Sequence, residues 1–262
     1  MFETAQYEAN QRLRWTVGLT ASVSLYVAFL LSYFQSLPKE QLRSAVDAIP
    51  QVMLEVFGIV ELSTIEGWLA AEVYNFVVIW ALGIYFAYTA AGLIADDIEH
   101  ARMDLLLLLP FSRSRLLAEK FVSLFVPIIT VNGALVVVIY VAALGIGESV
   151  DPVRLVMAHV LAIPYLLICA AIGIYLSTLY DRVTVTQRIA AGIVVVLNTI
   201  RFAASGTGLA WIAYISPRAY YDPSAILIDG TYNVTFAFIL LVATVVLVLV
   251  SQRRFQRRDI NR

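Results

Sequence analysis

The chain is short of charge. Asp, Glu, Lys and Arg make up only 14% of its 262 residues and hydrophobic residues 61%, where ordinary soluble domains carry roughly a quarter charged residues. So few charges cannot coat a soluble surface, and the excess apolar surface calls for lipid. Lysine is nearly missing, with Lys39 and Lys120 standing alone. A formal net charge of -1 provides no basic field for nucleic acid. The single cysteine, Cys169, cannot form an internal disulfide and so fixes no redox compartment. The two histidines, His100 and His159, fall on different segments with no H-E-x-x-H and no Cys/His cluster, which argues against a metal site. There is no G-x-x-x-x-G-K-[ST] phosphate loop, so ATP hydrolysis by that mechanism needs another chain. No G-x-S-x-G nucleophile elbow is present either; Ser205-Gly206 and Ser216-Pro217 read as turn punctuation. No internal repeat, low-complexity tract or soluble domain interrupts the sequence.

Long apolar runs are what the chain does have. Crossing a hydrocarbon core of ~30 Å takes roughly 20 mostly apolar residues at about 1.5 Å rise each. Five runs meet this easily, at 15–37, 73–94, 121–146, 153–179 and 232–250, and a shorter one at 186–204 carries Arg201 near its end. The first run is too long, and too aromatic at its flanks (Trp15, Tyr33), to be a cleaved leader. With the N-terminus in the cytoplasm, the inner segments hold Arg12, Arg14, Arg102, Arg113, Arg115, Lys120, Arg182, Arg188, Arg253, Arg254, Arg257, Arg258 and Arg262. The outer ones keep Lys39, Arg43, Arg154, Arg201 and Arg218 beside acidic residues running from Glu40 to Asp229. That asymmetry predicts both termini inside, and therefore an even number of spans in a multi-pass protein of the cell membrane. The expected fold is an all-α membrane protein with one domain covering 1–262. In the first outer loop Leu42, Val46, Ile49 and Met53 recur at helical spacing, fitting a helix on the membrane surface or a loop packed on the bundle.

The longest cytoplasmic stretch, ADDIEHARMDLLLLLPFSRSRLLAEK at 95–120, carries the most information. Asp96 followed by Glu99 resembles an Asp form of the capping box, placing a helix start there. Pro110 stops that helix, and Ser112 is a plausible cap for the next one. Between those limits lies a helix too short to span, with five successive leucines, Leu105 to Leu109. At 100° per residue five in a row circle the helix, so one surface cannot bury them all. One face could meet the spans and inner lipid interface, the other a partner protein; alternatively the helix sinks into headgroups with Arg113 and Arg115 on lipid phosphates.

This loop resembles the first cytoplasmic loop of type-2 ATP-binding-cassette (ABC) exporter permeases. The matching residues are Glu99, Met103 to Leu109, Pro110, Ser112, Arg113, Leu116, Leu117 and Lys120. Ala101-Arg102 and Glu119 stand where many relatives have Gly-Thr and Gly. The stretch LAWIAYISPRAYYDPSAILIDGTYN resembles the outer re-entrant segment of the same family, placed at about 205–230 before the last span. The resemblance implies a coupling helix at 97–109, seated on an ABC ATPase subunit through Asp97, Glu99, Arg102, Met103, Leu106, Leu107 and Pro110. It implies two copies of that ATPase, holding ATP and Mg, and a second permease chain, identical or homologous. It also implies that the segment from Glu3 to Arg14 lies along the inner interface and touches the ATPase. No cofactor is expected in this chain itself, and no nucleic acid partner; membrane lipids surround it.

Polar residues inside the spans are the remaining candidates. Asn132 and Asn198 fit hydrogen bonding between helices or contact with a translocated substrate. Arg201, toward the outer end of the fifth span, could snorkel to headgroups, pair with Asp222 or Asp229, or line a path for an anion. Pro127 and Pro164 lie inside spans, as hinges or as packing features. The expected function is thus a permease moving a substrate across the cell membrane with ATP hydrolysed elsewhere, rather than an enzyme. A membrane-embedded enzyme and an ATP-independent channel or scaffold are the alternatives.

Overall fold

The structure, a computed structural model, describes residues 3–51, 53–54, 59–100, 112–204 and 210–258; of 3–12, 201–204 and 210 it describes the backbone alone. Among the described residues every regular element is helical. Six helices are long and apolar enough to cross a membrane: Leu13–Ser36, Ile65–Glu99, Arg113–Gly145, Pro152–Ser177, Val183–Ile200 and Val234–Gln256. We number the elements α1 (Glu3–Ser36), α2 (Lys39–Ala48), α3 (Ile65–Glu99), α4 (Arg113–Gly145), α5 (Pro152–Ser177), α6 (Val183–Ala204), α7 (Pro223–Leu227) and α8 (Val234–Gln256). Six crossings return both ends of the chain to one face of the bundle, called here the terminal face; the opposite end is the far face.

The axle of the bundle is α5. In its most apolar window 72% of the residues are buried, against 22% for α1, α6 and α8, so α5 runs inside the protein while those three face outward. It packs on α3, α4, α6 and α8. Its start is fixed by Asp151, whose carboxylate accepts from the amides of Val153 (2.8 Å) and Arg154 (3.3 Å), with Pro152 in the first turn where no amide is needed. In its last turns, Gly173 lets α3 come so close that a Cβ there would collide with the Ala87 carbonyl oxygen.

Two helices depart from regular geometry for identifiable reasons. α4 breaks at Ser123 and Leu124, between helical pieces Arg113–Val122 and Phe125–Gly145. Pro127 explains the break, because its ring crowds the carbonyl four residues earlier, at Ser123, and it has no amide to donate there. In α3 the residues Leu69–Leu82 form a π-helix between α-helical ends, a wide turn that is rare and concentrated at functional sites. The wider turn presents the Ile79 carbonyl to the buried Tyr165 hydroxyl at 2.9 Å.

Three expectations are corrected. α3 begins at Ile65 and runs to Glu99, so Asp96 and Glu99 form its last turn and do not open a new helix. Of the coupling helix expected at 97–109, the residues Asp97 to Glu99 continue α3, and 101–109 lies outside the described residues. The stretch from Glu3 to Arg14 is continuous with the first span in a single helix. On the far side, α2 packs against the bundle: Leu42 joins the core and Val46 lies against it, while Met53 is exposed. Lys39 of α2 reaches Glu148 in the α4–α5 loop at 2.9 Å.

Candidate functional site

The terminal face is where polar side chains tie helices together, and the ties converge on the two points from which the leucine-rich segment hangs. That segment leaves α3 after Glu99 and rejoins α4 at Arg113. Ser112 caps α4, its hydroxyl accepting from the Arg115 amide at 3.3 Å. Asp97 in the last turn of α3 and Lys120 in the second turn of α4 form an ion pair of 2.8 Å, with the residues 7% and 2% exposed. Those exposures put both charges inside the protein, where Asp97 is engaged with Lys120. Arg115 bridges to Glu119 one turn on, at 2.7 Å.

From these anchor points the ties run outward to α5, α6 and α8. Glu99 accepts from the Val183 amide at 2.6 Å, satisfying a free N–H at the start of α6 with a carboxylate on the positive end of that helix. Ser177, fully buried at the end of α5, accepts from the amides of Ile94 (2.9 Å) and Ala95 (2.8 Å) in α3. Beyond α8, Arg258 donates to the Thr178 carbonyl at 2.8 Å and pairs with Asp181, placing a cation on the negative end of α5. The Arg258 carbonyl accepts from Arg113 (2.6 Å), and Gln252 donates to the Ser114 carbonyl (3.0 Å). The exit of the leucine-rich segment is thereby bonded to α8, and its start to α6.

Deeper in the bundle, Asn132 of α4 and Asn198 of α6 are both buried and both bond to α5. Asn132 Oδ1 meets His159 Nδ1 at 3.0 Å, and Asn198 Nδ2 donates to the Tyr165 hydroxyl at 3.0 Å. Each thus joins two helices. Arg201 continues α6 by one turn past Asn198, and its side chain lies outside the described residues.

Toward the far face the chain after α6 folds back into the bundle through two 3-10 turns, Ala210–Ile215 and Pro217–Tyr220, and the short α7. The charge asymmetry of the sequence assigns Arg218 to an outer segment. It is 3% exposed, and its guanidinium donates to Asn75 Oδ1 in the π-helix of α3 at 2.8 Å. Nearby the Tyr221 hydroxyl donates to the Ala158 carbonyl at 3.0 Å. Burial pushes that phenol well above its ordinary range, keeping it a donor. Arg154 of α5 caps the end of α7 through the carbonyls of Leu227 (3.0 Å) and Ile228 (2.7 Å). Gly230, at φ +67, turns the chain beside that guanidinium, which stands 3.2 Å from where a Cβ would sit. Asn75 and Arg218 gave no sequence signal as a pair, because 143 residues separate them; the clue was a lone arginine in an aromatic, proline-rich stretch.

Residues 8–260 match the family model described as ABC-2 family transporter protein. The chain belongs to that family. No curated protein matches it. Membership makes the chain a multi-pass membrane subunit of an ABC transporter, a permease that partners with an ABC ATPase subunit. For such a permease the ties of the terminal face acquire a meaning. Of the residues expected to meet the ATPase, Asp97 and Glu99 belong to the ties; Arg102, Met103, Leu106, Leu107 and Pro110 lie outside the described residues.

Proposed function

We propose that the permease is an exporter subunit of the cell membrane, driven by ATP hydrolysed on separate ATPase subunits. Both termini are cytoplasmic in this reading, so the terminal face is the inner one. Two permease chains, identical or homologous, work with two ATPases, which hold the ATP and Mg; the chain itself catalyses no hydrolysis. The segment at 101–109 is the coupling element. Leu106 and Leu107 enter a groove of the ATPase, while Arg102, Met103 and Pro110 set its edges.

One observation carries the reading: both ends of the leucine-rich segment are fastened to each other through Asp97 and Lys120, and to α5, α6 and the end of α8 through Glu99, Arg113 and Arg258. A push on that segment is thus delivered to several spans together, as a rigid-body change requires. Asp97 and Glu99 serve as fasteners behind the contact surface. At the far face, Arg218 on Asn75 and Tyr221 on Ala158 hold the re-entrant stretch closed as an outer gate. Asn132 and Asn198 reach a passing substrate only when α5 moves off them; Arg201 lies nearer the exit.

Charge substitutions test the coupling element. In the reconstituted complex, Leu106→Glu or Leu107→Glu should leave the permease folded and reduce nucleotide-driven change at the far face, read by accessibility of a cysteine placed at Trp211. Full retention of ATPase association and of that response in both variants would sink the coupling assignment.

A further inference from the structure

Two buried polar atoms on facing side chains within the bundle form no hydrogen bond among the described residues: the Tyr74 hydroxyl in the π-helix of α3 and His159 Nε2 in α5. Both residues are shut from solvent, Tyr74 at 0% and His159 at 2% exposure. Their ring centroids are 5.1 Å apart with the planes tilted by 49°.

The hydrogen-bond role of each atom is fixed by what lies behind it. Asn132 Nδ2 donates to the Ile128 carbonyl at 2.8 Å, which orients the amide so that Oδ1 faces His159 Nδ1 at 3.0 Å. An amide oxygen can only accept, so Nδ1 carries the proton, and in the uncharged ring Nε2 is left as an acceptor. The Tyr74 hydroxyl can donate. Among the described residues neither atom has a partner, and polar groups buried without partners are costly and rare in native proteins.

We propose that one water molecule is bound between Tyr74 and His159, accepting from the Tyr74 hydroxyl and donating to His159 Nε2. A chain of bonds then runs in one direction, from Tyr74 through water, His159 and Asn132 to the Ile128 carbonyl. It links α3, α5 and α4 at a depth where bulk water does not reach, and buried waters characteristically serve such otherwise unmatched groups. The site also marks where the wide turn of α3 is held against α5, next to Asn75 and its bond to Arg218.

The chain has only two histidines, which makes the test clean. With His100→Gln, the full-length permease labelled with 15N-histidine in lipid nanodiscs should give one imidazole in solid-state NMR. The expected spectrum has Nδ1 protonated and Nε2 unprotonated, Nε2 shifted as a hydrogen-bond acceptor and polarised rapidly from water. Tyr74→Phe removes one oxygen without changing the ring, and should abolish the transfer from water while keeping the protonated Nδ1 bonded to Asn132. A protonated Nε2, an Nε2 without water contact, or transfer unchanged in Tyr74→Phe would overturn the proposal. Should Tyr74→Phe fail to fold, the spectrum of the chain with Tyr74 present decides alone.

Discussion

The ion pair between Asp97 and Lys120 gives the sharpest prediction because both partners are buried and its removal can be done in two ways. Replacing Lys120 with Met keeps the length of the side chain and strands the Asp97 carboxylate inside the protein. Breaking a buried pair in this way costs about 3–5 kcal/mol, since the remaining charge has lost its counter-charge but not its burial. Replacing both residues, Asp97→Leu with Lys120→Met, removes the desolvation cost along with the attraction, and such exchanges are often neutral or stabilising. The exposures of 7% and 2% place the pair in this buried regime, where an exposed pair would be worth about 0–1 kcal/mol. Equilibrium unfolding in lipid–detergent micelles is the assay. The single variant should be several kcal/mol less stable and the double variant should recover most of the loss. A single variant costing under about 1 kcal/mol, or a double variant as poor as the single, would refute the view that these charges are locked together between α3 and α4.

Three further outcomes follow from contacts elsewhere. Gly173→Ala should lower the melting temperature, because the new methyl group meets the Ala87 carbonyl and forces α3 from α5 at a cost of about 1–3 kcal/mol; Gly133→Ala, with open space around it, should be neutral or slightly stabilising in the same assay. Asn75→Ala removes a neutral acceptor from a buried guanidinium, which should cost about 1.5–3 kcal/mol and make 210–230 more readily cleaved in limited proteolysis. Glu99→Ala should speed amide hydrogen exchange at the start of α6, the Val183 amide above all, while Glu99→Gln, which still offers a carbonyl oxygen, should largely preserve protection.

The spans were legible because lipid leaves little choice: about 20 apolar residues in a row have one stable use. Ser112 was legible as a cap because its role is local, set within three residues. The start of α3 was hidden by Glu66 and Glu72, which lower the apolar signal of the turns that Thr64 caps at Gly67. Its end was misread because Asp96 and Glu99 have the spacing of a helix start, whereas in the fold Glu99 is used by α6 and Asp97 by α4. Those partners lie far along the chain, and no local pattern announces them. The same reason hid the burial of Arg218: one arginine among aromatics looks like a surface anchor until the chain folds back and brings Asn75 against it. The π-helix likewise meets a distant neighbour, its Ile79 carbonyl accepting from Tyr165, and local periodicity does not announce it.

Transmission of the work of a separate ATPase through the segment between Glu99 and Arg113 can be checked by isolating the chain in lipid with its partner and measuring ATP hydrolysis. An ATPase bearing the phosphate loop should co-isolate in a fixed ratio, the purified permease alone should hydrolyse nothing, and Leu106→Glu with Leu107→Glu should release the ATPase or disconnect it. ATP turnover by the permease alone, or an intact and coupled complex in the doubly substituted chain, would contradict it.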